Sequence, residues 1–181
     1  MKKILVVLLL VTSLFADRDG GPYIGVGYGS SKYNDDGLYD DIKSNTSASA
    51  TIYGGAYINK YFSVELGYAS FDAWKKKEGY EIDENKKVKC SSATVSVLAH
   101  YAFFDDMLDF YAKGGVGKMD MSGISSSGFD MVYGGGIGFR LNEWFGIKAA
   151  YDRYDFEYKN KEDKKYKMKI DYVYAAIEVQ F

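Results

Sequence analysis

His100 and Cys90 are the only histidine and the only cysteine among 181 residues, so most of the chemistry open to side chains would have to pass through them. One cysteine cannot make an intramolecular disulfide, and one cysteine with one histidine is too few for a structural zinc site. Ser96 precedes His100 at a spacing that puts both on the same face of a strand, where they could imitate a Ser–His dyad; a polar pair filling an interior is the blander account. The 25 acidic residues are interleaved with 23 basic ones, and no spacing singles out a catalytic pair of carboxylates. NDDGLYDD, from Asn34 to Asp41, lacks the calcium-loop pattern and offers a divalent cation weak binding at most. GGGIG at Gly134 to Gly138 lacks the Lys-Ser/Thr ending of a phosphate loop and has no helix behind it. Neither catalysis, nor a cofactor, nor a metal site is expected. A net charge of −2 gives no electrostatic footprint for nucleic acid.

The elements that would hold these residues are strands. Tyr (18), Phe (11) and Gly (20) are abundant and Pro occurs once, a composition that favours strands over helices. A mean hydropathy of −0.27 is too polar for a helical membrane bundle. Lys2 and Lys3, the apolar run Ile4 to Val11 and TSLFA ending at Ala16 have the order of a secretory signal, so residues 1–16 are expected to be removed and 17–181 to form one domain. The apolar run is shorter than the ~20 residues a membrane-spanning helix needs.

From Tyr23 the chain alternates with a period of two: Ile24, Val26 and Tyr28 share one face, and Gly25, Gly27 and Gly29 the other. Seven further segments do the same, roughly Ser47 to Ile58, Tyr61 to Ser70, Cys90 to Tyr101, Leu108 to Met119, Met131 to Leu141, Phe145 to Tyr154 and Ile170 to Phe181. Each is close to the ~9–11 residues that a tilted strand needs to cross a bilayer. Alternate connections are short (Asn59-Lys60, FFDD around Asp105, Asn142-Glu143-Trp144), and the others, 32–46, 71–89, 120–130 and 155–169, are long and charged. Turns gathered on one side and loops on the other predict an all-β, eight-stranded antiparallel up-and-down transmembrane β-barrel, with short periplasmic turns and long extracellular loops. A soluble barrel has no reason to segregate its loop lengths in this way, although the two faces of each strand by themselves are compatible with one.

Aromatic placement favours the membrane. Phe62, Tyr101, Phe110, Phe139, Phe145 and Phe181 sit near the short-turn end of the apolar face, and Tyr28, Tyr68, Tyr133 and Tyr151 toward its loop end. Two such bands are what the two bilayer interfaces require.

YGGAYINKYFSVELGYASF at Tyr53 to Phe71 resembles the second hairpin of the OmpA/OmpX-type eight-stranded outer-membrane barrels. DFYAKGGVG at Asp109, YGGGIGFRLNEWFGIKAAYD at Tyr133 and the terminal IEVQF are similar to later parts of the same fold. The resemblance implies a place in the outer membrane among its lipids and lipopolysaccharide. It also implies insertion by the barrel-insertion machinery through a terminal signal of Ile177, Val179 and Phe181. Larger family members continue into a peptidoglycan-binding domain; a chain ending at Phe181 is expected to lack that tether. Barrel enzymes of similar fold place a histidine near the outer rim, whereas His100 falls at the periplasmic end. In the resembling family an acid and a base close the lumen. The resemblance therefore implies a Glu65–Lys148 pair with Lys113 nearby, and Arg140 beside Asp109 or Glu178 lower down. Inward tyrosines over inward glycines should fill the remaining space and disfavour a diffusion pore, leaving a narrow channel as the most that is expected.

The loops hold the other candidate surfaces. DAWKKKEGYEIDENKK carries five acids and five bases with Trp74 and Tyr80, and DFEYKNKEDKKYKMK carries six bases and four acids. Lysines near the rim could meet lipopolysaccharide phosphates, the same loops could bind a host or surface ligand as an adhesin does, or they could serve only to keep strand ends soluble. Cys90 is expected to point inward as a small filler.

Overall fold

Successive strand residues point to opposite sides of a sheet, so a sheet that closes on itself gives each strand one face inside and one outside. The computed structural model describes residues 21–34, 42–44, 46–71, 75–76, 90–121, 124–125, 130–159 and 165–181. Eight long strands occupy most of these: β1 Gly21–Asn34, β2 Thr46–Asn59, β3 Phe62–Phe71, β4 Cys90–Phe103, β5 Leu108–Met121, β6 Asp130–Arg140, β7 Phe145–Lys159 and β8 Lys165–Gln180. Each is antiparallel to its chain neighbours, and β1 pairs with β8 from Tyr23↔Gln180 to Asn34↔Lys169. The ladder is therefore a closed barrel without a free edge, which leaves backbone donors paired where lipid offers them nothing. Among the described residues there is no helix. Two short pieces lie at the loop end: 124–125 pairs with the end of β5, and 42–44 pairs with 75–76.

The turns at the other end follow from their sequences. The Asn59 side-chain oxygen accepts from the amides of Tyr61 (2.8 Å) and Phe62 (3.0 Å), and Asn142 does the same for Trp144 (2.9 Å) and Phe145 (2.8 Å). In both cases the asparagine substitutes for a backbone acceptor and closes a tight hairpin. The β4–β5 turn bonds Met107 N to Phe104 O at 3.1 Å, with Phe104, Asp105 and Asp106 all at positive φ.

The strands outrun the lengths expected of them. The stretch 155–169, expected as a loop, is mostly strand, since β7 continues to Lys159 and β8 starts at Lys165. Residues 32–34 likewise belong to β1, and 120–121 to β5. The alternation persists there with its polarity reversed. Up to the level of Tyr28, Tyr68 and Tyr151, apolar residues such as Ile24, Val26, Leu66, Val97, Ile147 and Ile177 face outward. Beyond it the outward positions are Lys32, Asn34, Ser70, Lys118, Asp120, Glu157, Lys167 and Lys169, and the inward ones are Tyr33, Phe71, Met119, Tyr154, Phe156, Met168 and Ile170. A strand that leaves lipid for water must exchange its faces, and here the exchange is made without breaking the ladder.

Candidate functional site

Among the described residues, the lumen brings many ionisable side chains together. Its lower, short-turn half is polar. Glu65 on β3 and Asp152 on β7 both reach Lys113 on β5, whose Nζ lies 3.0 Å from Glu65 Oε1 and 2.9 Å from Asp152 Oδ2. Register explains this three-way contact. Lys113 and Asp152 are both backbone partners of Gly134 on the intervening β6. A Cβ on Gly134 would lie 2.6 Å from Asp152 Oδ1, so the bare glycine is what lets the two charges meet. On the other flank only β4 separates β3 from β5.

The expected Glu65–Lys148 pair is not formed. Lys148 binds Glu178 on the adjacent β8, whose backbone partner Gly146 is on the same face of β7, so the pair is a diagonal cross-strand contact. Three aromatic rings, Tyr23, Tyr53 and Tyr111, surround the Lys148 ammonium at 5.0, 5.3 and 5.2 Å from their centroids. They hold the cation over their electron-rich faces, and Tyr23, which also donates to Glu65, stands between it and Lys148. Arg140 donates to Gln180 Oε1 at 2.6 Å, and Asp109 accepts from His100.

These contacts join into a chain. His100 Nδ1 lies 2.8 Å from Asp109 Oδ2, and its Nε2 lies 2.8 Å from Ser63 Oγ. Ser63 is 3.2 Å from the Tyr23 hydroxyl, which donates to Glu65 at 3.3 Å. Glu65 leads through Lys113 to Asp152, which accepts from Tyr174 at 3.2 Å. A carboxylate can only accept, so Nδ1 of His100 carries the hydrogen facing Asp109, and Nε2 shares a hydrogen bond with the Ser63 hydroxyl. The order Ser63–His100–Asp109 is that of a hydrolytic triad, but the Ser63 side chain is completely buried and hydrogen-bonded to Tyr23, out of contact with solvent. His100 therefore acts as a strut between β3 and β5. The partner expected from sequence, Ser96, lies further along β4, about 13 Å away at strand rise. Ser63 is found only through the β3–β4 register, in which it pairs with Leu98.

Above this layer the lumen is closed by apolar side chains. Phe71 packs edge-on against Tyr154 (5.3 Å) and Tyr172 (5.7 Å), and Tyr172 stacks on Tyr174 at 4.6 Å, which ties the apolar cap to the ion layer. Tyr33 donates to Met168 Sδ, and Cys90, a free thiol, is buried in the same cap. Sequence reading missed this cap because it assigned one polarity to the whole inner face. At the short-turn end a cavity of about 40 Å³, lined by Asp109, Arg140, Lys148 and Glu178 among others, has room for a few waters.

Outside, Tyr28, Phe62, Tyr68, Tyr101, Phe110, Phe139, Phe145 and Tyr151 are exposed on the wall, and Phe181 donates its amide to Pro22 O at 2.9 Å. Phe103, Phe104, Met107 and Trp144 add exposed apolar surface at the short-turn end. Above the tyrosines, Asp171 accepts from Arg153 Nε and from the Tyr151 hydroxyl, each at 2.5 Å. The guanidinium, and then the hydroxyl, hold its carboxyl below the usual carboxylate range. Among the described residues no group of three His, Cys, Asp or Glu side chains is placed to hold a metal ion. The stretch 35–41, Trp74, Tyr80 and the leader 1–16 lie outside the described residues.

A closed antiparallel barrel with an apolar wall, aromatic bands and a filled polar lumen defines an integral outer-membrane barrel. Residues 4–177 match the family model for the outer membrane protein beta-barrel domain, and the chain belongs to that family. Neisserial surface protein A has the same fold, with a TM-score of 0.66, 13% identity, and 90% of this chain and 99% of that one covered. Ail, the attachment invasion locus protein of Yersinia pestis, solved with the heparin analogue sucrose octasulfate, superposes with a TM-score of 0.56 at 19% identity, covering 90% and 99% of the two chains. OprG of Pseudomonas aeruginosa gives 0.51 at 14% identity, covering 92% and 99%. No curated protein matches the chain in sequence. The protein is an outer-membrane protein of small eight-stranded barrel type.

Proposed function

We propose that the protein is a closed, non-conducting barrel that serves as a structural, surface-presenting element of the outer membrane. The observation carrying this reading is the double filling of the lumen, with a bridged ion layer around Lys113 below an apolar cap around Phe71. An ion crossing the barrel would have to break the first and be desolvated by the second. A narrow channel is the reading this opposes, and planar-bilayer recording separates the two. The purified barrel is expected to give no discrete conductance steps, and reproducible steps that change on Lys113→Gln would overturn the proposal. Insertion through Ile177, Val179 and Phe181, and removal of residues 1–16, belong to the same reading.

A second reading, attachment to a host or surface ligand, is favoured by the likeness to a protein named for attachment and invasion, and by the exposed Lys167 and Lys169 on the projecting β7–β8 hairpin. Deleting residues 160–164 should leave folding intact and abolish cell binding if the loops act in this way.

A further inference from the structure

A row of residues crosses four strands on the outer wall just above Tyr28 and Tyr151. Lys32 on β1 pairs with Asp171 on β8, Asp171 with Arg153 on β7, and Arg153 with Tyr133 on β6. Neighbouring strands are about 4.8 Å apart, so Lys32 and Arg153 flank Asp171 with backbones about 10 Å apart. Lys169, the next outward residue on β8, is about 7 Å further along it. All three cations can reach one point on the outer surface.

Their existing partners leave capacity for a ligand. Asp171 takes Nε of Arg153, and Tyr133, which contacts the same guanidinium, donates its own proton to Asp155. Two of the five guanidinium hydrogens are thereby used, which orients the group and leaves three for a ligand. Asp171 is thus engaged by the arginine and Asp155 by Tyr133, whereas Lys32, whose charge also bears on Asp171, and Lys169, the cross-strand partner of Asp155, form no ion pair with a described residue. The tyrosine bands mark the bilayer interface, so the row stands at headgroup height, above the acyl chains that the apolar wall meets.

We propose that Lys32, Arg153 and Lys169 form a binding site for a lipid-borne phosphate of the outer leaflet, that is, for a phosphorylated glycolipid headgroup whose acyl chains lie along β1, β8 and β7. The site rests on the reading of the chain as an outer-membrane barrel. A guanidinium held by a carboxylate offers paired donors to phosphate oxygens, two mobile ammonium groups complete the charge, and the apolar wall below accepts the chains.

Native mass spectrometry of the folded barrel in detergent, titrated with bisphosphorylated lipid A or with its dephosphorylated form, tests the site. The phosphorylated lipid is expected to be retained at least tenfold better. Lys32→Gln combined with Arg153→Gln should reduce that retention to the level of the dephosphorylated form, while tens of millimolar inorganic phosphate should leave it largely in place. Because losing Arg153 strands Asp171, Lys32→Gln with Lys169→Gln provides a second variant that keeps the arginine clamp, and it should weaken retention several-fold. Equal retention of the two lipids, or wild-type retention by both variants, would overturn the proposal. Full displacement by inorganic phosphate would also overturn it, by showing a free-anion site. Boiled and unboiled samples run in parallel keep the two questions apart: identical mobilities would count against the membrane barrel itself, and shifted mobilities without lipid discrimination against the site alone.

Discussion

Lys113 reaches Asp152 at 2.9 Å across the uncovered backbone of Gly134. The same ammonium holds Glu65, so one cation satisfies two buried carboxylates from opposite sides of the barrel. Lys113→Met should cost about 3–5 kcal/mol, because it strands both acids. Urea unfolding followed by unboiled gel mobility would measure this, and Lys113→Met with Glu65→Gln and Asp152→Asn should recover most of it. A single substitution no more harmful than the triple one would argue that water, rather than Lys113, solvates the acids.

Tyr53 lies across Gly25 in the same layer, where an added Cβ would fall 2.2 Å from the ring. Gly25→Ala is expected to force the ring toward Lys148 and to cost about 1–3 kcal/mol, as overpacking does. The check is the same unfolding assay, in which combination with Tyr53→Phe should bring little relief, since the clash involves the ring carbon as well as the hydroxyl.

Phe71 is fully buried at the centre of the apolar cap. Phe71→Ala should destabilise the barrel by about 3–5 kcal/mol. It should also increase proteolysis at the loop end and leave the periplasmic end protected. Uniform protection across the barrel would mean that the cap adds little to closure.

Asp105 and Asp106 turn the chain at φ of 51° and 65°, a conformation that glycine adopts more readily. Asp105→Gly should therefore stabilise by about 1 kcal/mol, seen as a higher unfolding midpoint. A drop would show that the carboxylate makes a contact worth more than the strain.

Arg153 and Tyr151 lower the carboxyl of Asp171 from its ordinary value of 3.8. A carboxyl lowered in the folded state contributes stability that is fully present above its unfolded value and is lost as pH falls through the folded one. The Asp171–Arg153 clamp should thus persist at pH 4 and loosen only in stronger acid. A carbon-detected NMR titration should place the Asp171 midpoint below 3.8 and show it rising in Arg153→Gln.

Much of this architecture can be read along the chain. Alternation with a period of two needs no tertiary information, and neither do the asparagine turns or the outward aromatics, because each is a property of neighbouring residues. Strand number and closure follow from them, as does the inward direction of Glu65, Lys113, Lys148 and Glu178. Which of these charges meet was decided by the tertiary structure. Closing the sheet sets the stagger between strands, which places Lys113 and Asp152 on either side of Gly134 and leaves Lys148 beside Glu178 with three tyrosines around its ammonium. The reversal of polarity above Tyr28 and Tyr151 likewise became legible only in the folded barrel. The same alternating pattern is written in lipid and in water, and only the height of each residue in the barrel determines which solvent its outer face meets.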